Sequence, residues 1–429
     1  MKINAQLDVN IVALETSDEV AVLLDLEAPS TPSGVTRPPA SLQVVLDRSG
    51  SMSGAPLQGA KQALVALVRR LEPTDNFGLV TFDDSAEVVV PAGPLLDKER
   101  IVRMVEGITA GGSTDLSAGY LRGLREIRRV AGETGGTILV ISDGHVNSGL
   151  RHADEFSSVA AQAYTHRVVT STLGYGRGYD ETLLSAISRA GSGNHVFADD
   201  PDAAGAAIAG EVEGLLNKVV QALSLTIRFE PRVDFLRLFN DLPAHQIGDG
   251  KVMVELGDLY AQEGRSVLLK FRIPGMSTLG PTRIATLELA YVELPGMVEH
   301  VATLPINVNI VPGDIAAGRV ADAKVVSEVL FQEAQDVKRR ASEAFERTDY
   351  AEGQRLIELA REQLTRCLEV APEELKPGIW TEIQEVTSMV LYGQSNGPAG
   401  TAYMSKVSRE SFHRGNRKRG REPEQPGQH

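Results

Sequence analysis

The first residues of the chain alternate between apolar and polar side chains, a pattern typical of a strand with one buried face. The apolar positions of this alternation are Ile3, Ala5, Leu7, Val9 and Ile11. A second apolar run, over residues 20–26, predicts another strand, and a stretch rich in proline follows it. We interpret residues 1–38 as two strands and a linker.

Between residues 39 and 217 the pattern differs, because continuous apolar runs alternate with segments of helical period. The runs at residues 42–46 and 137–141 are typical of strands buried on both faces. A helix over about residues 55–71 has its apolar positions on one stripe. Strands and helices that alternate with short links predict an α/β domain with a mostly parallel, doubly wound sheet.

Beyond residue 217 the period of two returns, with turn signals between the strand candidates. These candidates lie at residues 219–230, 252–257, 266–273, 284–293 and 301–311. They predict an antiparallel β-sandwich over residues 218–312. Because the N-terminal strands have the same character, we expect them to complete this sandwich, with the α/β domain inserted in it.

The C-terminal part of the chain, residues 313–393, has helical periodicity. It fits either a helical hairpin that packs on the sandwich or an arm for partner docking or oligomerisation. Residues 394–429 combine glycine and proline with basic residues, and we predict a disordered basic tail there. Those basic residues include Arg409, Arg414, Arg417, Lys418, Arg419 and Arg421. The alternative is a docking tail for an acidic partner or nucleic acid.

Composition and charge exclude several classes of function. The net charge of −14 at pH 7 argues against nucleic-acid binding, except weakly through the basic tail. The single Cys367 excludes an internal disulfide framework. No apolar run is long enough to span a bilayer, and the N-terminus has no apolar signal-peptide region. We therefore expect a cytoplasmic protein.

Carboxylate and hydroxyl side chains follow both continuous apolar strands. Asp47, Ser49 and Ser51 come directly after the first strand, and Asp143 comes after the second. Because the carboxyl ends of parallel strands border a crevice where the strand order reverses, we expect these groups to lie together. Hard oxygen ligands are what Mg²⁺ prefers. The alternative is a set of capping residues without a metal.

Three motifs occur in the order D-x-S-x-S at residues 47–51, Gly-Gly-x-Thr at residues 111–114 and Ser-Asp-Gly at residues 142–144. This series resembles the von Willebrand factor A (VWA) domain with its metal-ion-dependent adhesion site, as in intracellular bacterial members of that family. The resemblance covers roughly residues 39–216. It implies that the metal ligands are Asp47, Ser49, Ser51, Thr114 and Asp143. One coordination position would then be left for water or for a partner's carboxylate.

The choice of cation and the residues around it are less sharply defined. Mg²⁺ is favoured by availability and hardness, and Mn²⁺ or Ca²⁺ are alternatives. Asp115 and His145 could contact a ligand, although helix capping and an ordinary solvated loop histidine are the competing interpretations. Asp83 and Asp84 lie between two apolar segments, and this position predicts a hairpin turn.

The resemblance implies a protein-interaction module without enzymatic activity, acting as an adaptor or scaffold. The metal would recognise an Asp or Glu of a protein partner, and by family analogy that partner could be an AAA+ ATPase of the MoxR type. Two other functions stay open: a Mg²⁺-dependent hydrolase or phosphatase, and a structural, oligomer-forming protein with an idle metal site.

Overall fold

The computed structural model describes residues 1–31, 37–143, 146–176, 179–198 and 200–415. The chain forms two compact units. The first unit consists of Thr31–Ala222 and Leu294–Met297. The second consists of Met1–Ser30, Leu223–Glu293 and the described residues from Val298 onward. The chain therefore leaves the second unit after its N-terminal strands and returns to it, as expected for an inserted domain.

Strands and helices are distributed along the chain much as the periodicity predicts. The strands are β1 (Lys2–Leu7), β2 (Ile11–Ala13), β3 (Asp18–Glu27), β4 (Ser41–Asp47), β5 (Asn76–Phe82), β6 (Ala86–Pro94), β7 (Gly136–Ser142), β8 (Val168–Tyr175), β9 (Ser192–Ala198), β10 (Lys218–Phe229), β11 (Asp234–Leu238), β12 (Ala244–Gly248), β13 (Lys251–Tyr260), β14 (Gly264–Ile273), β15 (Gly280–Glu293) and β16 (Val298–Val311). The helices are α1 (Ala55–Arg70), α2 (Lys98–Glu106), α3 (Leu116–Ile127), α4 (Ala153–Thr165), α5 (Glu181–Ala190), α6 (Pro201–Leu216), α7 (Gly313–Ala317), α8 (Ala323–Glu346), α9 (Tyr350–Val370), α10 (Lys376–Asn396) and α11 (Thr401–Gly415).

The first unit contains a six-stranded sheet in the order β6-β5-β4-β7-β8-β9. Only β6 runs antiparallel to its neighbour. The chain enters the sheet at β4, continues outward through β5 and β6, and then crosses back to β7. The strand order therefore reverses between β4 and β7, which leaves a crevice at their carboxyl ends. The predicted mostly parallel sheet is confirmed.

Helices cover both faces of this sheet. On one face, Leu64 of α1 and Ile208 of α6 belong to a single apolar cluster. On the other face, Tyr120 of α3 and Phe156 of α4 belong to a second cluster. All residues of β4 and β8 are buried, because apolar side chains on both sides of each strand meet a helical layer.

Two glycines bring α3 unusually close to the sheet. A Cβ atom at Gly119 would lie 2.5 Å from the ring of Phe82, and one at Gly123 would lie 2.4 Å from Val45. Both distances are too short for carbon atoms in contact, so the backbone of α3 rests on the side chains of β4 and β5. This packing fixes the loop that precedes α3.

The second unit contains two further sheets, in the orders β1-β3-β14-β11 and β12-β13-β10-β15-β16-β2. The N-terminal β3 pairs antiparallel with β14 over its whole length, and β2 pairs with β16. Phe229 of the larger sheet and Phe235 of the smaller one lie 6.1 Å apart between ring centroids. The predicted participation of the N-terminal strands in the sandwich is thus confirmed.

Two short strands, β11 and β12, have no counterpart in the sequence prediction. All residues of β12 are exposed, and β11 has no buried residue. Neither strand therefore has the apolar alternation by which a strand is recognised in a sequence. Both lie at sheet edges and pair on one side only.

The helical region packs against the smaller sheet and forms a core of its own. Val325 of α8 lies in a cluster with Leu23 and Leu268 of the sheet. Helices α8–α11 share a second cluster. Inside it, the fully buried ammonium of Lys338 donates to Glu382 at 2.6 Å and to Ser411 Oγ at 2.8 Å. No described helix is both long enough and apolar enough to cross a membrane.

The predicted disordered tail over residues 394–429 is wrong in its first half. Residues 401–415 form α11, and Met404 is fully buried in the helical core. Arg409, assigned to the tail, donates to Ser342 and to Glu346 of α8. The error arose because the buried face of α11 includes Ser405, Ser408 and Ser411, and serines are usually solvated. Arg417, Lys418, Arg419 and Arg421 lie outside the described residues.

The close packing of α3 gives a test in which two glycine substitutions have opposite effects. Gly119→Ala places a methyl group against Phe82 and should destabilise the protein by about 1–3 kcal/mol, partly offset by better helix propensity. Gly205→Ala, in α6, meets no atom within 4 Å and should stabilise by up to about 1 kcal/mol. Differential scanning calorimetry would measure both; equal shifts would contradict the proposed close contact.

Candidate metal centre

The two acidic residues of the site lie at the ends of adjacent parallel strands. Asp47 ends β4, and Asp143 directly follows β7, its neighbour in the sheet. Asp47 is fully buried, and its two carboxylate oxygens accept hydrogen bonds from the Ser49 amide at 2.8 Å and from Ser142 Oγ at 2.6 Å. Asp143 is half-buried. The crevice predicted from the strand pattern thus contains both carboxylates.

Two serines join these carboxylates into one hydrogen-bonded chain. Ser49 Oγ and Ser51 Oγ lie 3.1 Å apart, and Ser51 Oγ donates to Asp143 Oδ1 at 2.8 Å. Ser51 lies within a turn of 3₁₀ helix at Gly50–Met52, and Ser49 is its N-cap residue. Four of the five predicted ligand residues are therefore in direct contact with one another.

The loop that carries Thr114 is held next to the β4 loop by backbone hydrogen bonds. The Gly50 amide donates to the Gly112 carbonyl at 3.1 Å, and the Gly111 amide donates to the Arg48 carbonyl at 2.8 Å. Thr114 itself is 3% exposed, and its amide donates to Asn147 Oδ1 at 2.9 Å. The loop before α3 is thus held against both the β4 loop and the segment that follows Asp143.

The hairpin turn at Asp83 and Asp84 is confirmed by the antiparallel pairing of β5 and β6, and it does more than connect strands. Asp83 Oδ2 accepts from Arg48 at 3.0 Å, and its carbonyl accepts from the Asp115 amide. Asp84 accepts from the Ser113 amide at 2.9 Å. These contacts fix the loop that carries Thr114. Sequence reasoning missed this role, although both acids follow β5 at the same edge as Asp47.

Two residues, Asp115 and His145, were predicted to lie beside the metal ligands. The Asp115 carboxylate caps α3, because it accepts from the Ala118 amide at 2.9 Å and from Ser117 Oγ at 2.5 Å. These contacts agree with the alternative interpretation, in which Asp115 caps the N-terminus of the helix. His145 lies outside the described residues.

Burial makes both carboxylates reluctant to ionise. Burial raises the pKa of Asp47, against the opposing effect of its hydrogen bonds from Ser142 and Ser49. Burial also raises the pKa of Asp143 to about 6, and the nearby charge of Asp47 adds to the effect. Arg48 does not neutralise them, because its guanidinium pairs with Asp83 and Glu87. The carboxylates therefore lack a countercharge from the described residues.

These donors fit a hard cation. They are two carboxylates and three hydroxyls, all oxygen donors, and such a set suits Mg²⁺, Mn²⁺ or Ca²⁺ better than a soft metal. Within the described residues, no cluster of three or more His, Cys, Asp or Glu side chains could hold a metal ion. A metal at this crevice would therefore depend on the hydroxyl groups as well as on the two acids.

The chain is similar to known proteins over the α/β unit and beyond it. The model of the von Willebrand factor type A domain matches residues 42–207. An uncharacterized protein of Synechocystis is 25% identical over 263 residues, which cover 58% of this chain and 61% of that protein. The chain spans between 25% and 61% of the length of three curated relatives that it matches, less than two thirds of each.

Two solved structures share nearly the whole architecture. A von Willebrand factor type A protein from Catenulispora acidiphila superposes with a TM-score of 0.70 at 16% identity, covering 90% of this chain and 88% of that one. The ArnB paralog VWA2 from Sulfolobus acidocaldarius gives 0.65 at 18% identity, covering 98% and 99%. At such identities the likeness shows the fold alone. Members of the family commonly mediate metal-dependent protein interactions. Residues 42–207 of this chain form a von Willebrand factor type A domain.

Proposed function

We propose that the crevice binds a divalent cation, Mg²⁺ in the cell, and that the cation recognises a carboxylate on a protein partner. The ligands in this proposal are Asp47, Ser49, Ser51, Thr114 and Asp143. The protein then acts as an adaptor or scaffold without enzymatic activity of its own.

The observation that carries this proposal is the hydrogen-bonded chain between two buried carboxylates. Ser49 and Ser51 link Asp47 to Asp143 through short contacts, so the oxygen atoms already converge on one place. Two like charges in a poorly solvated crevice repel each other, and a divalent cation would neutralise both. Neutral hydroxyls complete the ligand set and leave the cation electrophilic enough to attract a further carboxylate.

The accessibility of the crevice supports recognition of a partner. Asp47 and Thr114 are buried, whereas Ser51 is exposed and Asp143 is half-buried. A cation held among them would thus be shielded on one side and open on the other. The surrounding loops have mostly glycine and serine, so a partner's backbone can approach closely. These small residues are Gly50, Ser53, Gly54, Gly111, Gly112 and Ser113.

The partner in this proposal is a protein that presents an Asp or Glu side chain. An AAA+ ATPase of the MoxR type is one specific candidate, by family analogy alone. The proposal also includes the cytoplasmic location that was predicted from the sequence.

Asp143→Asn should separate metal binding from folding. The variant keeps the shape of the side chain but loses a charge, so Mg²⁺ affinity should fall at least about tenfold by isothermal titration calorimetry. In EDTA at pH 7.5 the same variant should be more stable, by about 1 kcal/mol after allowance for solvent screening. The sign follows because burial raises the pKa of Asp143 to about 6, which makes its charge costly above that pH.

The control for this variant is Asp154→Asn. Asp154 is an exposed acid in the first turn of α4, at the same edge of the sheet. Its substitution removes one charge without touching the ligand loops, and it should leave Mg²⁺ affinity nearly unchanged. Unchanged Mg²⁺ affinity in Asp143→Asn would refute the metal site.

Metal affinity should also depend on pH in a specific direction. Because the pKa of Asp143 in the metal-free protein is about 6, protons compete with the cation below that pH. Mg²⁺ affinity should be nearly constant above pH 7 and should weaken roughly tenfold per pH unit below pH 6. Calorimetric titrations from pH 5 to 8, with circular dichroism as a check of folding, would measure this. A flat profile would contradict the ligand role of Asp143.

Recognition of a partner requires capture from a native extract with the full chain immobilised. A protein retained in Mg²⁺ by the wild type and by Asp154→Asn, but lost in EDTA and with Asp143→Asn, is the expected result. Retention that is independent of the metal would reject the proposed recognition. Mg²⁺-dependent turnover of a phosphate ester, lost in Asp143→Asn, would indicate a hydrolase instead.

A further inference from the structure

The segment that follows the metal site along the chain, residues 146–152, is fastened to the Thr114 loop and to the start of α3. The amides of Asn147 and Ser148 donate to the Thr114 carbonyl at 3.2 and 3.3 Å, and Asn147 Oδ1 accepts from the Thr114 amide. The Leu150 amide donates to Ser117 Oγ at 3.1 Å. We call this segment the 146–152 loop. Its backbone is held by Thr114, one of the proposed ligands, and by Ser117 in the first turn of α3.

Gly149 allows this loop to lie directly on the helix cap. Its φ is +73°, and a Cβ atom there would lie 2.2 Å from Asp115 Oδ1 and 2.1 Å from Ser117 Oγ. No other residue could occupy this position without displacing the cap. The loop is therefore ordered before any partner arrives, which lowers the entropic cost of binding.

Arg151 is the long cationic side chain that this loop presents. It is exposed, and its guanidinium donates to the Asn147 carbonyl, within the loop itself. It pairs with no carboxylate among residues 37–143, 146–176 and 179–198. Arg48, by contrast, forms ion pairs with Asp83 and Glu87. Arg151 thus retains donors for an anionic group brought by another molecule.

The β5 side of the crevice is acidic. Asp84 is exposed at the β5–β6 turn, and the hydroxyl and amide of Ser113 hold its pKa below the ordinary value. An acidic ligand is therefore repelled on the β5 side. On the side of the 146–152 loop, Arg151 offers a cationic group close to the exposed acids Asp154 and Glu155 of α4, so any attraction there depends on direct pairing with the Arg151 guanidinium. The glycine and serine residues between these two sides present no bulky side chain.

We infer that Arg151 selects the partner: the bound segment has one carboxylate for the cation and a second acidic side chain that pairs with Arg151. The class of partner is accordingly an exposed acidic peptide segment with two Asp or Glu residues a few positions apart. This inference rests on the proposed metal-dependent recognition. It adds the orientation of the bound segment and the kind of sequence that is selected.

The test uses an array of acetylated, amidated hexapeptides with one fixed glutamate and a second glutamate moved through the remaining positions, in a background of alanine and serine. Binding of the labelled full-length protein is measured in Mg²⁺ and in EDTA. At one or two spacings the second glutamate should strengthen Mg²⁺-dependent binding about fivefold. In Arg151→Ala this gain should vanish, while binding of the single-glutamate peptide and Mg²⁺ affinity stay unchanged.

Arg125→Ala is the matched control. Arg125 is exposed in the last turn of α3, about 14 Å along the helix axis from its first residue, so its loss removes the same charge at a distance from the site. This variant should keep the full gain from the second glutamate. Arg151→Lys should keep part of it, because a lysine supplies charge without the planar pair of donors.

The possible results separate this inference from the proposal on which it depends. Mg²⁺-dependent binding of single-glutamate peptides with no gain at any spacing, or with a gain that persists in Arg151→Ala, overturns the role of Arg151 alone. An equal loss for all peptides in Arg151→Ala also overturns it, because that would indicate a residue that only positions the loop. Absence of Mg²⁺-dependent binding to every peptide overturns both proposals.

Discussion

The centre of the α/β unit holds two carboxylates close together against their mutual repulsion. The register between β4 and β7 is fixed by side chains buried on both faces, so Asp47 and Asp143 cannot separate without disrupting the centre of the sheet. Serine hydroxyls solvate the pair in place of water. The pKa of both acids is still raised, because these hydroxyl groups replace only part of the solvation that burial removes. Only a proton or a cation can neutralise the remaining negative charge.

The supports of this pair come from segments that are distant in the sequence. The β5–β6 turn holds the Thr114 loop through Asp83 and Asp84, and α3 is seated on the sheet by Gly119. Each support fixes a position and adds no donor to the crevice. The crevice is thus built from a few polar side chains at strand ends and from rigid neighbours that keep them close together.

The sequence was sufficient for the sheet and for the placement of the two acids at its strand ends, because both depend on local patterns. Continuous apolar runs identify β4 and β7, and the residues just after each run identify Asp47 and Asp143. Contacts between distant segments were not accessible in this way. The pairing of Arg48 with Asp83 and the contact of Gly119 with Phe82 follow from the three-dimensional arrangement, not from spacing. The same holds for β12, whose residues are all exposed.

The C-terminal helices show a second limit of sequence patterns. Helix α11 buries Ser405, Ser408 and Ser411 together with Met404, and a buried serine cannot be told from a solvated one by composition. Its Ser411 also accepts from the buried ammonium of Lys338. A segment that resembled a soluble tail therefore completes a polar contact inside the helical core.

The pairing of β3 with β14 has a consequence for the order of synthesis. Asp25 and Ser266, joined by a hydrogen bond of 2.6 Å, are 241 residues apart. At typical elongation rates the ribosome needs on the order of ten seconds or more to cover that distance. During this interval the α/β unit can fold as a unit, and β3 can pair with β1, but the other edge of β3 has no partner strand. Until residues 264–273 emerge, the apolar β3 keeps one open edge, and an open strand edge is a site at which nascent chains aggregate.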